Sequence, residues 1–118
     1  MLSVKVLVTS QGPTVDASAD ERFGRAAYFV IFDGQSAEPK IMKNPGFSSD
    51  HGAGVVASQS VAEEQVDVVI TGHLGPNAVN SLQAAGITAY RLPSQSTVKA
   101  AFDAFAAGEL ELLLAKQS

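Results

Sequence analysis

Two histidines, His51 and His73, each stand in a polar turn just ahead of a helical pattern. Neutral imidazole is a common ligand for iron and other transition metals, and one exposed ring can take an open coordination position on a cluster assembled elsewhere. Arg25 offers a fixed fork of N–H donors for a carboxylate or another anion. Gly72 and Gly75, either side of His73, let a ligand approach the backbone, and Pro76 with Asn77 opens a helix whose first amides attract negative charge. Together these residues make a joint site for a metal or an anion plausible. They also admit plainer roles. His73 could cap its helix or bond a loop carbonyl, His51 could be a solvated loop residue, Arg25 could pair with Asp20 or Glu21, and the two glycines could serve only the turn.

Composition narrows the chemistry. With no cysteine, the chain alone offers no disulfide, thiol nucleophile or thiolate-held cluster, so a metal must use histidine, carboxylate or backbone groups. Asp16, Asp20 and Asp50 fit no compact calcium loop and read as solvated loop charge. Eight basic against twelve acidic side chains give a net charge of −4, which leaves no footprint for a nucleic acid backbone. No apolar run approaches the roughly 20 residues of a membrane span, and the N-terminus lacks a leader pattern, so a soluble cytoplasmic protein is expected. At 118 residues and 46% hydrophobic content, residues 1–118 make one domain with a real core. A monomer is the simplest expectation.

The elements that must position the candidate residues follow from periodicity. Leu2 to Val8 alternates as a first strand, and residues 10–25 form a long surface loop. Ala27 to Phe32 and Lys40 to Lys43 flank the Asp33-Gly34 turn as a hairpin, with the lysines suited to an edge. After a second polar loop a helix is predicted from Ala53 to Gln65, with Val55, Gln59 and Ala62 on one line. Val66 to Ile70 is a central β-branched strand, followed by the TGHLG turn and a helix marked by Ala78, Val79, Leu82 and Ala85. Gly86 stops that helix, and Ile87 to Leu92 forms the next strand. Ser94 or Ser96 can cap a last helix striped by Val98, Ala101, Phe102 and Phe105 and ended by Gly108. The tail from Glu109 to Ser118 reads equally as strand or helix. The order implies an α/β domain with a five-stranded mixed sheet, one antiparallel strand and three helices. The loops after strands one, three, four and five should leave one sheet edge, bringing His51 and His73 to it.

An ordered set of motifs now stands out: FGRA (Phe23 to Ala26) before a strand with Tyr28 and Phe29, Asn44 after the hairpin, GAG (Gly52 to Gly54), VDVVITGHLGPNA (Val66 to Ala78), and LQAAGI (Leu82 to Ile87) before a strand with Tyr90. From about Val4 to Phe105 the chain resembles the dinitrogenase iron–molybdenum cofactor biosynthesis family, which includes the carriers NifX and NafY and the C-terminal part of NifB. The resemblance implies a ribonuclease H-like fold. It also implies a non-enzymatic carrier of an anionic iron–sulfur or iron–molybdenum-type cofactor or precursor, transiently bound and exchanged with metallocluster donor or acceptor proteins. Carried onto this chain, metal ligation falls to His73 or His51, with Arg25, Gly72, Gly75 and Asn77 around them. Nuclease chemistry is not implied, because strand one has no carboxylate and strand four has only Asp67 at its start. Two other classes stay open: a metal-free regulatory interaction module, and a small-molecule enzyme using the two histidines as acid and base. No nucleophile, phosphate-binding glycine signature or triad accompanies those histidines.

Overall fold

A computed structural model describes residues 4–34, 38–49 and 51–115. Leu2, Asp50 and residues 116–118 of the tail lie outside them. The chain runs β1 (Lys5–Ser10), β2 (Tyr28–Asp33), β3 (Lys40–Lys43), a 3₁₀ turn (Pro45–Ser48), α1 (Ala53–Glu63), β4 (Val68–Thr71), α2 (Pro76–Ala84), β5 (Thr88–Arg91), α3 (Val98–Ala106) and β6 (Leu112–Leu114). The strands form one sheet in the order β3-β2-β1-β4-β5-β6. β1, β4 and β5 are parallel neighbours, β2 runs against both β1 and β3, and β6 runs against β5.

Two expectations need correcting here. The sheet has six strands rather than five, and two of them, β2 and β6, are reversed rather than one. The cause lies in the tail. Gly108, at φ +73°, ends α3 in the left-handed region that glycine adopts without a Cβ clash. The chain then doubles back, Arg91 N–H donates to the Glu111 carbonyl (2.8 Å), and Leu114 is buried against the free edge of β5. An unpaired edge strand outweighed the apolar run's equal aptitude for helix.

Alternation along the inner strands loads both faces of the sheet. Leu7, Phe29, Ile31, Val69 and Ala89 meet Ala57, Val61, Ala78 and Leu82 beneath α1 and α2. Val6, Val8, Val30, Val68 and Ile70 meet Val98 and Ala101 beneath α3. That double burial explains why β4 reads as an unbroken β-branched run. Each fully buried Leu or Ile contributes about 1.5–3 kcal/mol. The predicted stripe of α3 holds, with Phe102 stacked on Phe32 at 4.1 Å between ring centroids and Phe105 edge-on to Tyr90 at 5.2 Å.

The inward line of α1 is not Val55, Gln59 and Ala62. Ala57, Ser58, Ser60 and Val61 are buried instead, because α1 presses its small side chains inward and Ser58 returns its hydroxyl to the Gly54 carbonyl (2.7 Å). The cap of α3 is Thr97, not Ser94 or Ser96: its Oγ1 accepts the Ala100 N–H at 3.1 Å. The backbone of Ser96 is used one residue earlier, where its carbonyl accepts the Ala19 N–H (3.0 Å). Among the described residues no helix is long and apolar enough to cross a membrane.

Candidate functional site

Because β1, β3, β4 and β5 all point one way, the loops that follow them emerge at one edge, as the residue order implied. There a cleft of about 360 Å³ is lined by Arg22 to Arg25, Gly52 to Gly54, His73 and Gly75 to Ala78. Its floor is the pair of helix N-termini at α1 and α2. Close packing of small residues draws them together: a Cβ on Gly24 would lie 2.9 Å from the Gly54 nitrogen, and one on Gly54 would lie 3.2 Å from the Ala78 Cβ.

The segment between β1 and β2 is no free surface loop. Asp20 N–H donates to the Thr9 carbonyl (2.9 Å), and the Glu21 carbonyl accepts from both Gly72 N–H (3.1 Å) and His73 N–H (2.7 Å). Phe23 N–H returns to the His73 carbonyl, and the Phe23 ring is buried against Phe29. Arg22 and His73 therefore form a parallel bridge at the rim, which sets the two residues side by side. Asn44, also buried, donates to the carbonyls of Phe23 (3.1 Å) and Ala26 (2.9 Å) and accepts the Gly46 N–H (2.9 Å), tying the loop after β3 to the same scaffold.

Neither helix closes its own N-terminus. Gly52 precedes α1 at φ +65°, Gly75 precedes α2, neither has a side chain to cap with, and neither first turn holds an acidic residue. The amides of Ala53, Gly54, Val55, Asn77 and Ala78 thus have no acceptor among the described residues. Aligned peptide dipoles place about half a positive charge at each such end. Arg22 and Arg25 stand at the rim and no carboxylate is in the lining, so the cleft wall presents donors to an anion, although Asp20 pairs with Arg22 from behind it.

The predicted residues fall into two groups, within the cleft lining and outside it. His73, Arg25, Gly75 and Asn77 line the cleft. His73 is exposed, and its imidazole makes no hydrogen bond among the described residues, so it caps nothing. His51 is exposed beside Gly52 but outside the lining, with its backbone carbonyl accepting from Ser49 Oγ (2.6 Å). Gly72 also lies outside the lining. A Cβ there would fall 2.6 Å from that of Glu21, so this glycine serves the approach of the neighbouring loop. Arg25 pairs with neither Asp20 nor Glu21; its Nη1 donates to the carbonyl of Ser49, with longer contacts to those of Gly46 and Phe47 at 3.5 Å.

Asp20 is not solvated loop charge. It is 3% exposed and grips Arg22 at two points, Nε to Oδ1 at 3.1 Å and Nη2 to Oδ2 at 2.9 Å, while Oδ1 also accepts the Arg22 N–H at 2.9 Å. A buried carboxylate requires such partners. These hydrogen bonds first, and the carboxylate's charge second, push the guanidinium pKa further up, so Arg22 gives up its proton only in strong alkali. Arg22, Gly52 to Gly54 and Ala78 are lining residues that the sequence reading did not single out as a site. The FGRA and GAG motifs marked their neighbourhood, but not their convergence. Among the described residues no group of three or more His, Asp or Glu side chains could hold a metal ion.

The profile for the dinitrogenase iron-molybdenum cofactor family matches residues 4–108. The apo form of the orange protein from Desulfovibrio gigas is similar at 35% identity and a TM-score of 0.85, covering 97% of this chain and 96% of that one. A candidate NifB protein from Thermotoga, solved by NMR, is 34% identical with a TM-score of 0.83 over 98% and 97% of the two chains. An uncharacterised protein of Methanocaldococcus jannaschii is 28% identical over 92 residues, 75% of this chain and 77% of that protein.

Proposed function

Since the chain belongs to the dinitrogenase iron–molybdenum cofactor family, we propose that it binds and carries an anionic metallocluster, of iron–sulfur or iron–molybdenum type, in the cleft between the N-termini of α1 and α2. One observation supports this most directly: the open amides of Ala53, Gly54, Asn77 and Ala78, two guanidinium groups and an imidazole with no hydrogen bond among the described residues line a cleft with no carboxylate in its wall. The donor set suits a preformed cluster rather than a bare ion. Amides and guanidinium groups meet the negative outer atoms of the cargo, and His73 supplies one coordination bond to a metal. A single protein ligand without thiolates favours transient carriage between a donor and an acceptor protein over permanent assembly.

We read the fold as ribonuclease H-like on the strength of its β3-β2-β1-β4-β5 core with β2 reversed. Nuclease chemistry gains no support from it. β1 and β4 carry no carboxylate, and Asp67, ahead of β4, accepts the Lys5 N–H at 2.9 Å. The carrier is non-enzymatic in this reading, as the cleft lining offers charge, donors and one ligand but no hydroxyl or thiol nucleophile. That the Desulfovibrio relative was solved in an apo form and that the Thermotoga relative is a candidate NifB protein both accord with a cluster-holding role.

The test is anaerobic mixing with isolated iron–molybdenum cofactor followed by gel filtration. Visible absorption should co-elute with the protein, fall for His73→Ala and stay unchanged for His51→Ala. Undiminished co-elution in a His73→Ala, Arg25→Ala double variant would remove the cleft from consideration.

A further inference from the structure

We infer that Asp20 is a positioning residue for the anion cleft: it holds the Arg22 guanidinium in a single orientation, leaving that group's remaining N–H donors for the cargo. The inference rests on the reading of the cleft as an anion site, and it concerns how the site is tuned. Arg22 has a largely exposed side chain, 66% accessible, whereas that of its partner is 4% accessible. A surface arginine of that kind ordinarily samples many rotamers, and ordering it on binding costs affinity. Here Nε and one Nη2 proton are held by the two carboxylate oxygens. The guanidinium has five N–H donors, so three stay available.

The anchor itself is rigid. Asp20 N–H donates to the Thr9 carbonyl, its own carbonyl accepts from Thr9 Oγ1, and Thr9 Oγ1 lies 2.9 Å from Thr71 Oγ1 at the end of β4. The backbone that carries the carboxylate is thus tied to the two central strands, and the bridge between Arg22 and His73 sets those two residues side by side at the rim.

The inference separates two effects of opposite sign. Through space, a carboxylate beside the cleft repels an anion, so Asp20→Asn should tighten binding if charge alone mattered. Orientation predicts the reverse. Asn keeps an Oδ1 to accept the Arg22 N–H but replaces the second acceptor with a donor, so the two-point grip fails while the local turn survives.

Wild type, Asp20→Asn, Arg22→Ala and the double variant should be titrated anaerobically with isolated iron–molybdenum cofactor, with amide NMR spectra confirming the fold of each. Asp20→Asn should bind roughly three- to tenfold more weakly, and no more weakly in the Arg22→Ala background than Arg22→Ala alone. Unchanged or tighter binding by Asp20→Asn overturns the inference while leaving the cleft assignment intact. The ligand-free protein gives an independent readout: the Arg22 Nε–H resonance should be slowly exchanging in wild type and averaged with solvent in Asp20→Asn. Fast exchange in wild type overturns the inference whether or not the cofactor binds, whereas a wild type that binds no cofactor defeats the proposed cargo instead. Should Asp20→Asn unfold, Asp20→Glu keeps the charge while moving the grip, and an equal affinity and exchange rate there would also count against it.

Discussion

Three helices begin at the same edge of the sheet, yet the start of α3 is closed and those of α1 and α2 are open. At α3, Val98 N–H donates to the Ala17 carbonyl (3.0 Å), Lys99 N–H to the Val15 carbonyl (2.9 Å) and Ala100 N–H to Thr97 Oγ1 (3.1 Å). All three first-turn amides are satisfied by the protein itself. At α1 and α2 glycines stand in the cap positions and five amides are left without acceptors among the described residues. The local physics is the same, but one helix uses its terminal donors within the fold and two leave theirs open, where the proposed cargo would meet them. On the proposed reading, the contrast separates a helix end closed by its own fold from one open to a ligand.

The largest effect should come from breaking the packing that unites the open ends. A Cβ at Gly46 would sit 2.6 Å from the Ala53 carbonyl oxygen and 2.7 Å from that of Gly24, two backbone atoms that cannot step aside. Gly46→Ala should therefore cost about 1–3 kcal/mol in denaturant unfolding and also weaken cofactor binding, since relief requires the start of α1 to move. A smaller effect is expected at the closed end. Thr97→Ala removes one acceptor and should cost about 1 kcal/mol with cofactor affinity unchanged. If Thr97→Ala instead lowered affinity as much as Gly46→Ala, the division between the two kinds of helix end would not hold.

Much of this edge could be anticipated from the residues, because its elements are local. The β-branched run before Thr71, the turn glycines and the Pro76 helix start declare a strand, loop and helix within a few residues of one another. The α3 stripe is equally local. What escaped detection depends on distant segments meeting. The acidic residues after β1 look like solvated loop charge until Asp20 is seen locked to Thr9 and Arg22. The helix at Val98 looks in need of a serine cap until the carbonyls of Val15 and Ala17 arrive from some 80 residues away. Two histidines ahead of two helices looked equivalent, yet His73 lines the cleft and His51 stands outside it, a difference that depends on how the loops after β3 and β4 meet. Periodicity encodes a residue's own element, whereas the choice between Arg22 and Arg25 as partner of Asp20 is a matter of loop geometry that no period records.

The smallest change in stability should be the most informative. Gly75 has φ −73° and ψ 168°, a conformation any residue adopts, and a Cβ there would meet nothing within 4 Å. Gly75→Asp therefore places an N-cap carboxylate on α2 without strain, where it can accept the Asn77 or Ala78 N–H, and it should stabilise the protein by a few tenths of a kcal/mol. The same carboxylate would occupy donors assigned to the cargo and add a negative charge to the cleft, so affinity for the iron–molybdenum cofactor should fall at least about tenfold. Opposite signs for folding and binding from one side chain would mean that α2 is left uncapped for its ligand. A variant that gains stability and keeps full affinity would instead show that the amides of α2 are idle, leaving α1, the two arginines and His73 to hold the anion without them.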